Sequence, residues 1–347
     1  MAENKKTINR TVLETLVYYK TLGTPLTLAQ TGRLLISEKP LFGFSLSQVN
    51  EALTYWIEKG TIEKQKGLYW LKSCNIKHVT CNKNTSKEIR HSAGSDSNVS
   101  SFKFHVSDLW LKYIQREKTA QKKLYLVRKM IKLIRYFPGI QGVFVCGSVA
   151  RKMSKRESDI DFLVLTEKNR VWTVRFFLTI YSFIFGRKTQ DNKPRINKFC
   201  LNHYRSRVNL KLEENLQDLY SAQEYAQMIN IYSRNKIENK FFAANISWMG
   251  KHIQNFNFLK PAMINSKHQL ASSGQLVRRI IKKVGDLIEK IMQKLQIIII
   301  QKSSQNFAGL DNRRIVVNNK VIMFHLNPRA PIVLKKYKNI VDKYNIL

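Results

Sequence analysis

The sequence predicts an α/β (α+β) protein, and three observations carry that expectation. Short apolar runs that read as buried strands, Val143–Cys146 and Phe162–Leu165, lie between segments of helical periodicity. Residues 7–73 show three helix-period segments followed by two short strand-like runs. The stretch beyond residue 230 is dominated by helix-period sequence.

In the first segment, Val12, Leu13, Leu16, Val17 and Tyr19 share one helix face, which Gly23-Thr24-Pro25 ends. Thr27 is placed to cap a second short helix running to Leu35. Ser47 is placed to cap a third, with Val49, Leu53, Trp56 and Ile57 inward and Gly60 as its stop. Strands at Thr61–Lys64 and Leu68–Leu71 turn around Lys66-Gly67. Three helices followed by a hairpin is the order of a winged helix. Such a unit either reads nucleic acid with its third helix or serves as a docking module. Glu51 and Glu58 on that helix, against Lys59 alone, suit the docking role better.

Residues 74–105 are poor in apolar residues and read as a polar linker. Cys74, His78, Cys81 and His91 fall near its start, in a spacing that matches no standard zinc pattern. Ser107 is then placed to cap a long helix reaching about Tyr136, with an apolar stripe from Leu109 to Ile134. Its other face carries nine cations, Lys112, Arg116, Lys118, Lys122, Lys123, Arg128, Lys129, Lys132 and Arg135, against Glu117. They read as a solvated face or a polyanion track. Pro138-Gly139 ends the helix.

The strand Val143–Cys146 stops at Gly147-Ser148, and Ser158-Asp159-Ile160-Asp161 opens the next apolar strand. Side chains alternate along a strand, so Asp159 and Asp161 point the same way while Ile160 enters the core. Paired carboxylates at a strand's start repel one another unless a cation lies between them. With one or two Mg²⁺ they become hard oxygen ligands that bridge to triphosphate oxygens. Gly147 permits close approach of backbone to phosphate, and the turn amides with the Ser148 hydroxyl are suited to hold it. Arg151 and Lys152 stand just beyond, where they could neutralise a leaving pyrophosphate.

The stretch VFVCGSVARKMSKRESDIDFLVL resembles the nucleotidyltransferases of the polymerase-beta type, in their small prokaryotic form. The resemblance implies a mixed sheet, a nucleoside triphosphate, and Mg²⁺ (or Mn²⁺) as cofactor. It implies that Gly147 and Ser148 bind triphosphate and that Asp159 and Asp161 are catalytic metal ligands. The N-terminal unit, VWTVRFF at 171–177, FCLNHY at 199–204 and NKVIMFHLNPR at 319–329 look like pieces of bacterial proteins built around this domain. That family usually carries a third carboxylate on a later strand. Here the strand expected at Asn197–Tyr204 has no acid, so Asn202 takes the third site position, with Glu213, Glu214 or Asp218 as acids that could reach in. The departure leaves two functions open. One is transfer of a nucleoside monophosphate to an acceptor hydroxyl. The other is a non-catalytic regulator that binds nucleotide and nucleic acid.

Two features bear on partners and location. Sixty Lys and Arg against 24 Asp and Glu give a net charge of +36, which draws polyanions, nucleic acid among them. A helix at 275–301 carries an apolar face, including residues 284, 287, 288, 291 and 295, that suits a bundle or a homodimer. The N-terminus lacks the apolar stretch of a signal peptide, and no apolar run reaches the roughly 20 residues of a membrane span. A cytoplasmic, reducing location is expected. The expected division is a winged-helix-like domain at 7–73, a linker at 74–105, a core at 106–230 with its leading basic helix, and a helical region with a terminal hairpin at 231–347.

Overall fold

The computed structural model describes residues 2–36, 43–72, 97–185, 196–254, 275–304, 315–324 and 329–343. The N-terminal unit opens with α1 (Ala2–Thr21), followed by β1 (Leu26–Thr27), α2 (Leu28–Arg33) and α3 (Leu46–Glu58). The hairpin β2 (Ile62–Gln65) and β3 (Leu68–Leu71) completes it, with strand order β1-β3-β2. Thr27 caps α2 as the sequence suggests, through a reciprocal box with Gln30. The cap of α3 is Ser45, not Ser47. Ser45 and Gln48 form the same reciprocal box, while the Ser47 hydroxyl, two residues further on, donates to Glu51. Residues 73–96, with the Cys74–His91 cluster and most of the expected linker, lie outside the described residues.

Helix α4 (Ser97–Ile134) starts ten residues before the expected cap, so Ser107 is interior to it. The motif strands are β4 (Ile140–Val145) and β5 (Ile160–Thr166), with the short helix α5 (Gly147–Ala150) between them. Next come α6 (Val171–Ile184), β6 (Phe199–Ser206), α7 (Leu219–Gln227), β7 (Ile229–Ser233) and α8 (Ile237–Met249). The chain continues through α9 (Gln275–Ser304), the hairpin β8 (Ile315–Val317) and β9 (Val321–Phe324), and α10 (Arg329–Lys343).

The six-stranded sheet runs β7-β4-β5-β6-β9-β8. It is mixed: β5 and β6 are parallel and all its other pairs antiparallel. Strand β7 straddles residue 230 and the β8–β9 hairpin lies beyond it, so the expected boundary there falls within the sheet. The hairpin is also not terminal, since α10 follows it and packs on α1 through Val341 against Leu13 and Val17.

Alternation along β4 and β5 divides the core. Val143, Val145, Ile160, Phe162 and Val164 face a layer made by α4 and α6. Phe144, Cys146, Leu163 and Leu165 face the opposite layer, where the N-terminal unit, α7, α8 and α10 pack. The N-terminal unit is joined to that layer by polar contacts as well. The Tyr19 hydroxyl donates to Gln223 at 2.7 Å, and Gln223 donates to the carbonyl of Leu34 at 3.0 Å.

Helix α9 packs on α6 with its polar side, so its apolar face does not serve a bundle within the chain. Glu289, 7% exposed, accepts the amides of Trp172 and Thr173 at 2.9 Å each and the Thr173 hydroxyl at 2.6 Å. Those are orphan donors at the first turn of α6, which a buried carboxylate satisfies. Gln296 accepts from Arg175 and donates to the carbonyl of Trp172, and Arg170 pairs with Asp286 at 2.7 Å. Trp172 is fully buried, a packing residue rather than a platform for a base. Val284, Leu287, Ile288, Ile291 and Leu295 instead face outward.

Candidate active site

The site lies where β4 ends and β5 begins, on the face shared with Leu163 and Leu165. The Cys146 amide donates to the carbonyl of Asp161 at 2.9 Å, which fastens the Gly147 turn beside the start of β5. Gly147 has φ +63°, and a Cβ placed there would stand 2.2 Å from Asp161 Oδ2. Only glycine lets turn and carboxylate occupy this space together. The amide of Met153 closes the turn by donating to the Ser148 carbonyl at 2.8 Å.

Asp159 and Asp161 are half-buried, and the structure brings their carboxylates together as alternation requires. Cys200 supplies a third potential ligand atom beside them. In the parallel register, Ile160 opposes Phe199 and Asp161 opposes Cys200. An irregularity follows, so that Leu163 pairs with His203. Asn202 lies within that irregularity and is exposed. One ligand atom each from Asp159, Asp161 and Cys200 lies within 4.8 Å of the others.

The three candidate acids after β6 have other work. Glu213 accepts both terminal nitrogens of the fully buried Arg205, at 2.6 and 3.1 Å. Glu214 is exposed and pairs with Lys211. Asp218 caps α7 by accepting the Ser221 amide at 2.7 Å.

The two cations after Gly-Ser separate. Lys152 is exposed and pairs with Glu117 at 3.4 Å. Arg151 is half-buried and turned toward α1 and α7. Burial opposes its charge, but Tyr220, Glu224, Tyr18 and Tyr19 around it hold its pKa above the ordinary guanidinium value.

Lys123 is the residue that a reading of the basic helix face passes over. It is 2% exposed, while its neighbour Lys122 is solvated. Its ammonium donates to Ser158 O at 2.5 Å, Lys155 O at 2.7 Å and Ser154 Oγ at 2.9 Å. Burial pushes its pKa below the ordinary lysine value, while Asp159, Glu157 and Asp161 pull it the other way. Tyr220 and Glu224 on α7 are also near the site: Tyr220 is raised by burial first, then by Glu224, and it feels Arg151, Arg329 and Asp161. No sequence spacing marks either residue, because α7 reaches the site only through the tertiary fold.

The donor set fits a divalent cation. Two carboxylates and a thiol converge, and the Gly147 turn leaves the Asp161 carboxylate its space. Asp159 and Asp161 would hold the ion, with Cys200 at the third corner.

Residues 127–243 match the family model described as nucleotidyltransferase domain, a span that runs from α4 through β7 into α8 and encloses this site. No curated protein and no solved structure gives a significant match to the chain.

Proposed function

We propose that this protein moves a nucleoside monophosphate from a nucleoside triphosphate to an acceptor hydroxyl, a reading supported by the match of residues 127–243 to the nucleotidyltransferase domain model. The bond from acceptor oxygen to the α-phosphorus forms as the bond from that phosphorus to the bridging oxygen breaks. Pyrophosphate leaves, and the hydroxyl proton passes to solvent. The observation that carries this reading is the pair Asp159 and Asp161 against the Gly147 turn.

The chain's own residues divide the work as follows. Asp159 and Asp161 would hold the divalent ion, Mg²⁺ or Mn²⁺, which when bound would supply charge neutralisation of the triphosphate. Gly147 and Ser148 line the triphosphate on the turn. Lys152, exposed at the end of that turn, is the cation placed to meet departing pyrophosphate. Arg151 supports the wall formed by Tyr220 and Glu224. Lys123 fixes the loop that delivers Asp159.

The test is incubation with labelled ATP, CTP, GTP or UTP, a divalent ion, and cellular RNA or protein. A labelled product should form and vanish in the variant Asp159→Ala with Asp161→Ala. Absence of product with every triphosphate would sink the reading.

One observation favours a second reading. Glu213, Glu214 and Asp218 all serve elsewhere, and no carboxylate takes the third corner among the described residues. A non-catalytic regulator would bind nucleotide without turnover and would bind nucleic acid with steep salt dependence. The exposed face of α3 presents Glu51 and Glu58, which suits docking to a protein better than contact with phosphates.

A further inference from the structure

We propose that Cys200 is the third metal ligand of this centre, so that the corner between the two carboxylates and the thiol takes a thiophilic divalent ion of the zinc class. The inference rests on the reading that Asp159 and Asp161 hold a metal-nucleotide, and it changes which ion occupies the position nearest Cys200. Magnesium then enters with the triphosphate.

The placement follows from the backbone. Parallel pairing sets Asp161 opposite Cys200, so both side chains leave the sheet on the same face. Asp159, two residues before Asp161, adds its carboxylate to that face. The ligand atoms of the three residues lie within 4.8 Å of one another. Around a tetrahedral ion with oxygen and sulfur bonds of about 2.1 and 2.3 Å, donors stand roughly 3.4–3.6 Å apart. Side-chain rotations of about an ångström would close the set.

The chemistry sets the preference. Mg²⁺ is bound through oxygen and gains little from sulfur. Thiolate ligands favour Zn²⁺ and its close analogues Co²⁺ and Cd²⁺. On coordination the thiol proton goes to solvent and a metal–sulfur bond forms, with no change of oxidation state. Replacing a third carboxylate with a thiolate keeps the ligand charge and alters its hardness.

Cobalt provides a readout that does not depend on turnover. The full chain would be stripped of metal in a background carrying Cys74→Ser and Cys81→Ser, which leaves only Cys146 and Cys200 as thiols. Addition of Co²⁺ should give a near-ultraviolet sulfur-to-cobalt charge-transfer band, and Zn²⁺ should displace it. Cys200→Ser should abolish the band and weaken Zn²⁺ binding at least about tenfold. Cys200→Asp should also lack the band while binding Mn²⁺ more tightly than the parent. A cobalt complex without the band, or a band that survives in Cys200→Ser, overturns the proposal. Binding of magnesium-ATP and magnesium-GTP to the parent protein is measured by calorimetry alongside. If that binding is present and the band absent, the inference about Cys200 fails alone. If both are absent, the reading of the acid pair fails with it.

Discussion

The Lys123 ammonium donates to the carbonyl oxygen of Ser158, the residue before Asp159, at 2.5 Å. A cation drawn from the basic face of α4 thereby pins the segment that carries the first carboxylate. Lys123→Met should leave the Ser158 and Lys155 carbonyls and the Ser154 hydroxyl without this donor. The expected loss is about 2–3 kcal/mol of stability, measured by urea unfolding. Limited trypsin cleavage at Lys155 or Arg156 should also become faster than in the parent. Unchanged cleavage at those bonds would show that the loop is held by something else.

Gly147→Ala is expected to act on function more than on stability. Positive φ costs alanine about 1 kcal/mol, which the fold can absorb. The added carbon, 2.2 Å from Asp161 Oδ2, forces the carboxylate or the turn to move. A displacement of this size at a reacting centre lowers turnover by about a hundredfold. Circular dichroism close to that of the parent, with transferase activity lost, is the predicted pattern. Full activity in the alanine variant would contradict the close approach.

Glu289 offers a test of how α9 is attached. Its carboxylate serves two amides and a hydroxyl at the start of α6, so Glu289→Ala should cost about 2–4 kcal/mol. Glu289→Gln keeps one acceptor oxygen and should fall between alanine and the parent. Chemical denaturation of the three proteins gives the order directly. An alanine variant as stable as the parent would mean that the apolar contacts of Met292 and Ile297 suffice.

The buried tyrosines set an alkaline limit. Burial raises the pKa of Tyr18, Tyr19, Tyr204, Tyr220 and Tyr225 above the ordinary phenol value. Below about pH 10 both folded and unfolded chains keep these protons, so the groups add no pH dependence. Above it the unfolded chain releases protons that the folded chain retains, and stability falls as pH rises. Each such group steepens the fall by up to about 1.4 kcal/mol per pH unit. The urea midpoint should drop as pH rises above about 10, and tyrosinate absorbance from these residues should appear together with loss of helix. Tyrosinate forming at its ordinary pH with helix content intact would contradict the burial account.

The parts legible in the sequence were those fixed by local pattern. Alternation placed Asp159 and Asp161 on one face and Ile160 in the core, and the strand–turn–strand around Gly147 is as expected. The box at Thr27 is a short-range signal of the same kind. Alternation did not point to Cys200, because its place opposite Asp161 depends on how β5 and β6 meet. Periodicity along β6 alone cannot reveal it. That α9 turns its apolar face away from α6 was hidden for another reason. Apolar side chains usually decide the docking side of a helix, but here the donors at the start of α6 select the face bearing Glu289 and Gln296. Lys123 looks like its neighbours in sequence and differs only in what the 154–158 loop offers it.

Helix α10 returns from the far edge of the sheet to lie on α1, where Tyr337 meets Tyr18 edge-on at 5.7 Å and Val341 packs against Val17. Helices α1 and α10 thus brace one another on the layer that covers Phe144 and Leu163. A substitution that loosens either helix should therefore be felt in the other, so that the N-terminal unit and the six-stranded sheet lose structure in one step rather than as two separate bodies.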